Sequence, residues 1–165
     1  MEIAVRKMRS GDGPALARIH EQMARYYVEL APAYFEMPAL DGLAEELDAE
    51  LGGAPTPDVR LVAEVDGEVA GILFARVVTP AAGSERDIAR DLRERRLRIE
   101  YVATDEAHRR RGVATALVEA AEAHARGRGA TIVETWTYHG SPLSLPFWTE
   151  RMGYAERSVN LRKRL

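Results

Sequence analysis

Residues 99–117 run unbroken from a strand through a basic loop and a glycine into the start of a helix: Ile99-Glu100-Tyr101-Val102-Ala103-Thr104-Asp105-Glu106-Ala107-His108-Arg109-Arg110-Arg111-Gly112-Val113-Ala114-Thr115-Ala116-Leu117. No other stretch constrains the chain as tightly, because it builds an anion site. The first N–H groups of a helix have no intrahelical partner, and the helix dipole adds partial positive charge there. Gly112, without a Cβ, lets a bulky phosphate approach the main chain. Arg109, Arg110 and Arg111 add charge and forked donors suited to phosphate oxygens, and Thr115 adds a first-turn hydroxyl. Arginines at a helix C-terminus would be ordinary dipole electrostatics; before the N-terminus they oppose the dipole, which an incoming anion relieves. The pattern is not a dinucleotide fingerprint, since Gly-x-Gly-x-x-Gly is absent, nor a P-loop, since no Gly-Lys-Ser/Thr occurs.

The rest of the chain supplies a sheet and helices around this junction. Residues 2–8 alternate at period two and predict a first strand. Ser10-Gly11-Asp12-Gly13-Pro14 predicts a turn with a capping side chain and a first-turn proline, followed by a helix to about Leu30 with Leu16, Ile19, Met23 and Tyr27 on one face. Leu40, Leu43, Leu47 and Leu51 mark a second helix, stopped by Gly52-Gly53 and Pro55. Residues 59–65 and 68–79 are strands joined by Asp66-Gly67, a strong hairpin signal. Strands at 97–104 and 131–138, a helix over 113–126 with Gly127 as its C-cap, a short helix over 143–152 and a last strand over 158–165 complete the pattern. The class is α+β, resembling a three-layer α/β fold, in a single domain over residues 1–165.

Composition narrows the function. The sequence holds 23 Lys+Arg against 26 Asp+Glu, a net charge of −3, which gives no reason to expect a nucleic-acid partner. Charges interrupt every apolar run before the roughly 20 residues that a membrane helix needs. The first residues lack the apolar core of a secretory leader, so a cytoplasmic location is expected. Zero cysteines remove disulfides, Cys-ligated zinc and thiol nucleophiles together. His20, His108, His124 and His139 are scattered and lack metal-ligand spacing, so no metal is expected.

Arg109-Arg110-Arg111-Gly112-Val113-Ala114 resembles the Arg/Gln-x-x-Gly-x-Gly/Ala acetyl-CoA signature of the GNAT superfamily of N-acetyltransferases. Glu106 stands where that family often has proline, and Arg110 where it often has glycine. Trp148-Thr149-Glu150-Arg151-Met152-Gly153-Tyr154 resembles its second signature, aromatic-Tyr-x-x-apolar-Gly-aromatic, and the element order resembles its fold over most of the chain. The resemblance implies a mixed, mostly antiparallel sheet with two splayed parallel central strands, here 97–104 and 131–138, and flanking helices. It implies acetyl-CoA as co-substrate, its pantetheine arm paired with the backbone of Val102, Ala103 and Thr104. The amides of Arg110, Arg111, Gly112, Val113, Ala114 and Thr115 would cradle the pyrophosphate, with Arg109 beside them. The implied reaction is direct attack by a primary amine of a small molecule or peptide on the thioester.

Such an amine is protonated near neutrality, so a base is needed. Glu100 is the candidate: it matches a position where the family carries a base, and simple alternation puts it on the face of Val102 and Thr104. Its competing role is a pair with Arg98 or Arg76. The family's tyrosine acid falls at Thr149 or Trp148, neither a useful acid, which leaves Tyr138 or water. Tyr26, Tyr27, Tyr34 and Phe35, with Glu36, Asp41, Glu45 and Glu46, are candidates for an aromatic and acidic acceptor wall, with core packing and solvated acids as the alternative. Residues 85–96 predict a short charged helix or an ordered loop. Over 85–98 six arginines and four acids, with pairs at helical spacing, favour a salt-bridged surface helix that shapes the acceptor side or a homodimer contact. The alternative function is a noncatalytic acyl-CoA-binding or regulatory domain.

Overall fold

The computed structural model describes residues 2–53 and 58–163. Five strands form one sheet in the order β1-β2-β3-β4-β5: Ile3–Lys7, Asp58–Val65, Glu68–Val78, Arg96–Thr104 and Ile132–Thr135. The first four are antiparallel neighbours, and β4 with β5 is the parallel pair. The Asp66-Gly67 turn joins β2 to β3, and both residues adopt the positive φ that a tight hairpin asks for.

One sheet face packs against α1 (Gly13–Leu30) and α2 (Leu43–Leu51). Leu16, Ile19, Val62 and Ile72 are buried together there, with Phe74, Tyr101, Ala103, Leu47 and Leu51 against them. The other face carries Leu73, Ala75, Leu97 and Ile99 and is covered by α3 (Val113–Gly127), whose Leu117, Val118, Ala121 and Ala125 are buried. Gly71 on β3 lets α3 come this close: a Cβ there would lie 2.5 Å from Val113 Cγ1.

The chain divides into two compact units, Met1–Thr135 and Trp136–Leu165. In the second, α4 opens at Ser144–Pro146 and continues as one wide turn over Phe147–Arg151. Trp148 is buried within it, its ring centroid 5.0 Å from Phe147 and 4.9 Å from Tyr154.

Several local expectations are corrected. Asp12 does not cap α1 with its side chain; its carboxylate is drawn to Arg6 by two 2.8 Å bonds and to the Arg9 amide. Asp48 of α2 takes over, accepting from the amides of Gly11 at 3.0 Å and Gly13 at 2.7 Å. Gly127 is the last residue of α3, and the left-handed residue beyond the helix is Gly129, at φ 76°. Residues 85–98 form no helix: two 3₁₀ turns, Ser84–Arg86 and Arg90–Arg93, precede β4. Residues 158–163 form no strand, so β5 is the last strand of the described sheet, and 164–165 lie outside the described residues, as does Pro55. Val159 and Leu161 alternate but stay exposed, because alternation encodes a strand only where a neighbouring strand takes up the backbone.

Candidate functional site

The parallel pair is short. β4 and β5 pair from Arg96 with Ile132 to Ile99 with Thr135, and there the pairing stops. A bulge explains why. Opposite β3, Ile99 faces Ala75 and Tyr101 faces Phe74, so Glu100 is an extra residue in β4. An extra residue bends its strand and raises the local twist. Residues 100–104 then run on beside β3 alone among the described strands.

The bulge also moves Glu100. Tyr101 stacks on Phe74 with centroids 4.8 Å apart and packs with Ala103 toward α1 and α2, so Val102 and Thr104 belong to the opposite face. Glu100 pairs at 2.9 Å with Arg76, which shares the face of Ile72 and Phe74 along β3. Glu100 therefore lies with Tyr101 and not, as alternation predicted, with Val102 and Thr104. Its partner is Arg76; Arg98 instead bonds Glu134. Burial pushes the neighbouring Tyr101 hydroxyl well above its usual range, and the Glu100 charge adds to this.

Past Thr104 the chain turns through a 3₁₀ turn, Glu106–His108, capped by the Asp105 side chain through the Ala107 amide at 2.9 Å. Burial raises the Asp105 carboxyl, but the Ala107 amide and Arg18 outweigh it and hold the group below its ordinary value. Arg110 then adopts φ 61° and Gly112 φ 87°. Both are left-handed, a region that glycine enters without steric cost and arginine does not. Gly112 ends the loop as the N-cap of α3, with no side-chain cap and no acidic residue in the first turn. Among the described residues, nothing accepts a hydrogen bond from the amides of residues 110–115. Arg110 and Arg111 are exposed and, among the described residues, form no ion pair. Arg109 is turned back, 3.5 Å from Glu106 and 5.9 Å from the centre of the Tyr26 ring. The junction thus offers a row of N–H donors, a helix dipole and two free guanidinium groups to one anion.

A sequence profile of the Acetyltransferase (GNAT) family matches residues 20–154. The chain belongs to the GNAT acetyltransferase family. No curated protein matches it. Similar solved folds include the tetramutant BH1408 protein from Bacillus halodurans, at TM-score 0.81 and 15% identity over 98% of this chain and 99% of that one. A transcriptional regulator from the same organism aligns at TM-score 0.67 and 21% identity, over 99% and 100%. An aminoglycoside acetyltransferase, meta-AAC0020, from an uncultured soil metagenomic sample in complex with sisomicin, aligns at 0.65 and 18%, over 99% and 96%. At these identities the likeness is one of fold.

The remaining candidates in this GNAT chain are more dispersed. β5 ends at Thr135, so Tyr138 lies past the strand and not at its end. Thr149 donates its hydroxyl to the Leu145 carbonyl at 2.9 Å, inside its own helical turn. Tyr26, Tyr27 and Phe35 do form a ring cluster, with centroids 5.2 and 5.1 Å apart. Glu36, Asp41, Glu45 and Glu46 all face solvent, the last two in the first turn of α2, where negative charge suits the dipole. Among the described residues no cluster of three metal-ligating side chains occurs, and no helix is long and apolar enough to cross a membrane. Sequence reading missed Arg18 and Gln22, which reach Asp105 from α1. Their spacing of four residues is legible, but their target is not.

Proposed function

We propose that the protein is an N-acetyltransferase that moves the acetyl group of acetyl-CoA directly to a primary amine of a small molecule or peptide. The observation that carries this reading is the row of amides at residues 110–115, without acceptors among the described residues, beside exposed Arg110 and Arg111. A pyrophosphate answers that need, because it offers several anionic oxygens to fixed N–H donors without a metal. Acetyl-CoA supplies the activated acyl group when bound. Val102, Ala103 and Thr104 have no β5 neighbour among the described strands, and their backbone pairs with the pantetheine arm. A backbone N–H of this segment donates to the thioester oxygen as negative charge gathers on it.

Glu100 is the base, accepting a proton from the amine through water. The amine nitrogen then bonds the carbonyl carbon, the carbon–sulfur bond breaks, and the second proton of the nitrogen passes through water to the leaving thiolate. The sequence contains no cysteine, so no enzyme thiol carries the acetyl group. The name of the aminoglycoside acetyltransferase neighbour supports including aminoglycosides among the amines tried. The test is release of free CoA thiol when the protein is offered acetyl-CoA and a panel of amines. Thiol release with at least one amine supports the reading.

A second reading, a noncatalytic acyl-CoA-binding domain, is favoured by two observations: Glu100 is held by Arg76, and Thr149 spends its hydroxyl on Leu145. It expects CoA binding with no thiol release from any amine.

A further inference from the structure

Three residues of α1, spaced four apart, reach the loop that leads into the anion site. Arg18 donates from Nε to Asp105 Oδ2 at 3.0 Å and from Nη2 to the Val69 carbonyl at 3.0 Å. Gln22 donates to Asp105 Oδ2 at 3.3 Å and accepts from the Glu106 amide at 2.9 Å. Tyr26 carries Arg109 over its ring, 5.9 Å from the centroid. Asp105 is buried, and its own amide donates to the Ala70 carbonyl at 2.8 Å. The loop is thus pinned at Asp105, Glu106 and Arg109, immediately before the left-handed Arg110.

We infer that Arg18, Gln22 and Tyr26 are positioning residues that hold the 105–109 loop so that the amides of residues 110–115 already face one point before an anion arrives. The inference rests on the acetyl-CoA reading above. Apart from the Arg18 bond to the Val69 carbonyl of β3, the bonds land on loop backbone and on a loop carboxylate, away from the core cluster of Leu16, Ile19, Val62 and Ile72 on the inner face of the same helix. A loop without them would have to be ordered on binding, and that ordering is subtracted from affinity. The pinned part of the site is the pyrophosphate end; β4 is held separately by its ladder to β3.

This separation gives the test. In full-length protein, Gln22→Met removes both Gln22 bonds and keeps the side-chain length, while Arg18→Met removes the Arg18 bonds with a shorter side chain at an exposed position. Affinity is measured for CoA by calorimetry and for pantetheine, which lacks the pyrophosphate, by ligand-observed NMR. The expected result is CoA binding weakened about three- to tenfold in each variant, with pantetheine binding unchanged. Arg18→Met also lowers Tm, because it removes a partner of the buried Asp105 carboxylate, so both affinities are measured well below the variant's Tm. Unchanged CoA affinity, or equal weakening of CoA and pantetheine, overturns the inference. Wild-type protein that binds no CoA overturns the acetyl-CoA reading itself, which is a separate result.

Discussion

Glu100, the bulged residue of β4, holds its carboxylate 2.9 Å from the guanidinium of Arg76 on β3. Both side chains are about half exposed, so the pair contributes at most about 1 kcal/mol to stability. Glu100→Gln therefore leaves the urea midpoint nearly unchanged. If Glu100 is the base, kcat/KM falls about 100-fold or more. Unchanged kcat/KM across about pH 6–9 would remove Glu100 from the mechanism.

Gly112 combines a left-handed backbone with the N-cap position of the helix proposed to hold the pyrophosphate. Asparagine and aspartate occupy that backbone region at similar cost, so the pair isolates charge from shape. Gly112→Asp is expected to bind CoA at least about tenfold more weakly than Gly112→Asn, through like-charge repulsion at a helix N-terminus. Calorimetry reads the difference, and equal affinities would place the pyrophosphate elsewhere.

Arg110 pays for its position in backbone strain at φ 61°. Arg110→Gly relieves about 1–2 kcal/mol of left-handed strain and gives back part of it as unfolded-state entropy, for a net gain of up to about 1 kcal/mol. CoA affinity should move the other way, because a free guanidinium is lost. Stability from urea unfolding and Kd from calorimetry must therefore diverge in sign.

Asp48 is the cap of a helix that begins 35 residues earlier. Asp48→Ala leaves the amides of Gly11 and Gly13 without their acceptor and is expected to cost about 1–2 kcal/mol. An unaltered urea midpoint would show that water replaces the carboxylate at no cost.

Acid should unfold the protein through Asp12 and Asp105. Burial raises the Asp12 carboxyl, but hydrogen bonds from Arg6 and the Arg9 amide outweigh it and hold the group below its ordinary value; Asp105 behaves alike. A lowered native value means the unfolded chain binds more protons. The stabilisation is then whole above the unfolded value, about pH 4, and is lost as pH falls through the native values. Urea midpoints measured from about pH 5 to pH 3 should fall, and the fall should be shallower in Asp12→Asn. Equal slopes would assign acid sensitivity to other carboxylates.

The sequence by itself determined the strand, basic loop, glycine and helix at residues 99–117, since unpaired first-turn amides, a helix dipole and a Cβ-free residue are properties of the local chain. It also determined the Asp66-Gly67 hairpin and the apolar faces of α1 and α3. Tertiary structure decided which face Glu100 occupies, because a bulge exists only relative to the partner strand that it slips against. It decided that Asp48, not Asp12, caps α1, and that Arg18 and Gln22 grip Asp105, because these bonds join residues 35 to 87 positions apart. It also left residues 158–163 without a strand despite their alternation, since pairing depends on a neighbour's backbone and not on the segment's own pattern.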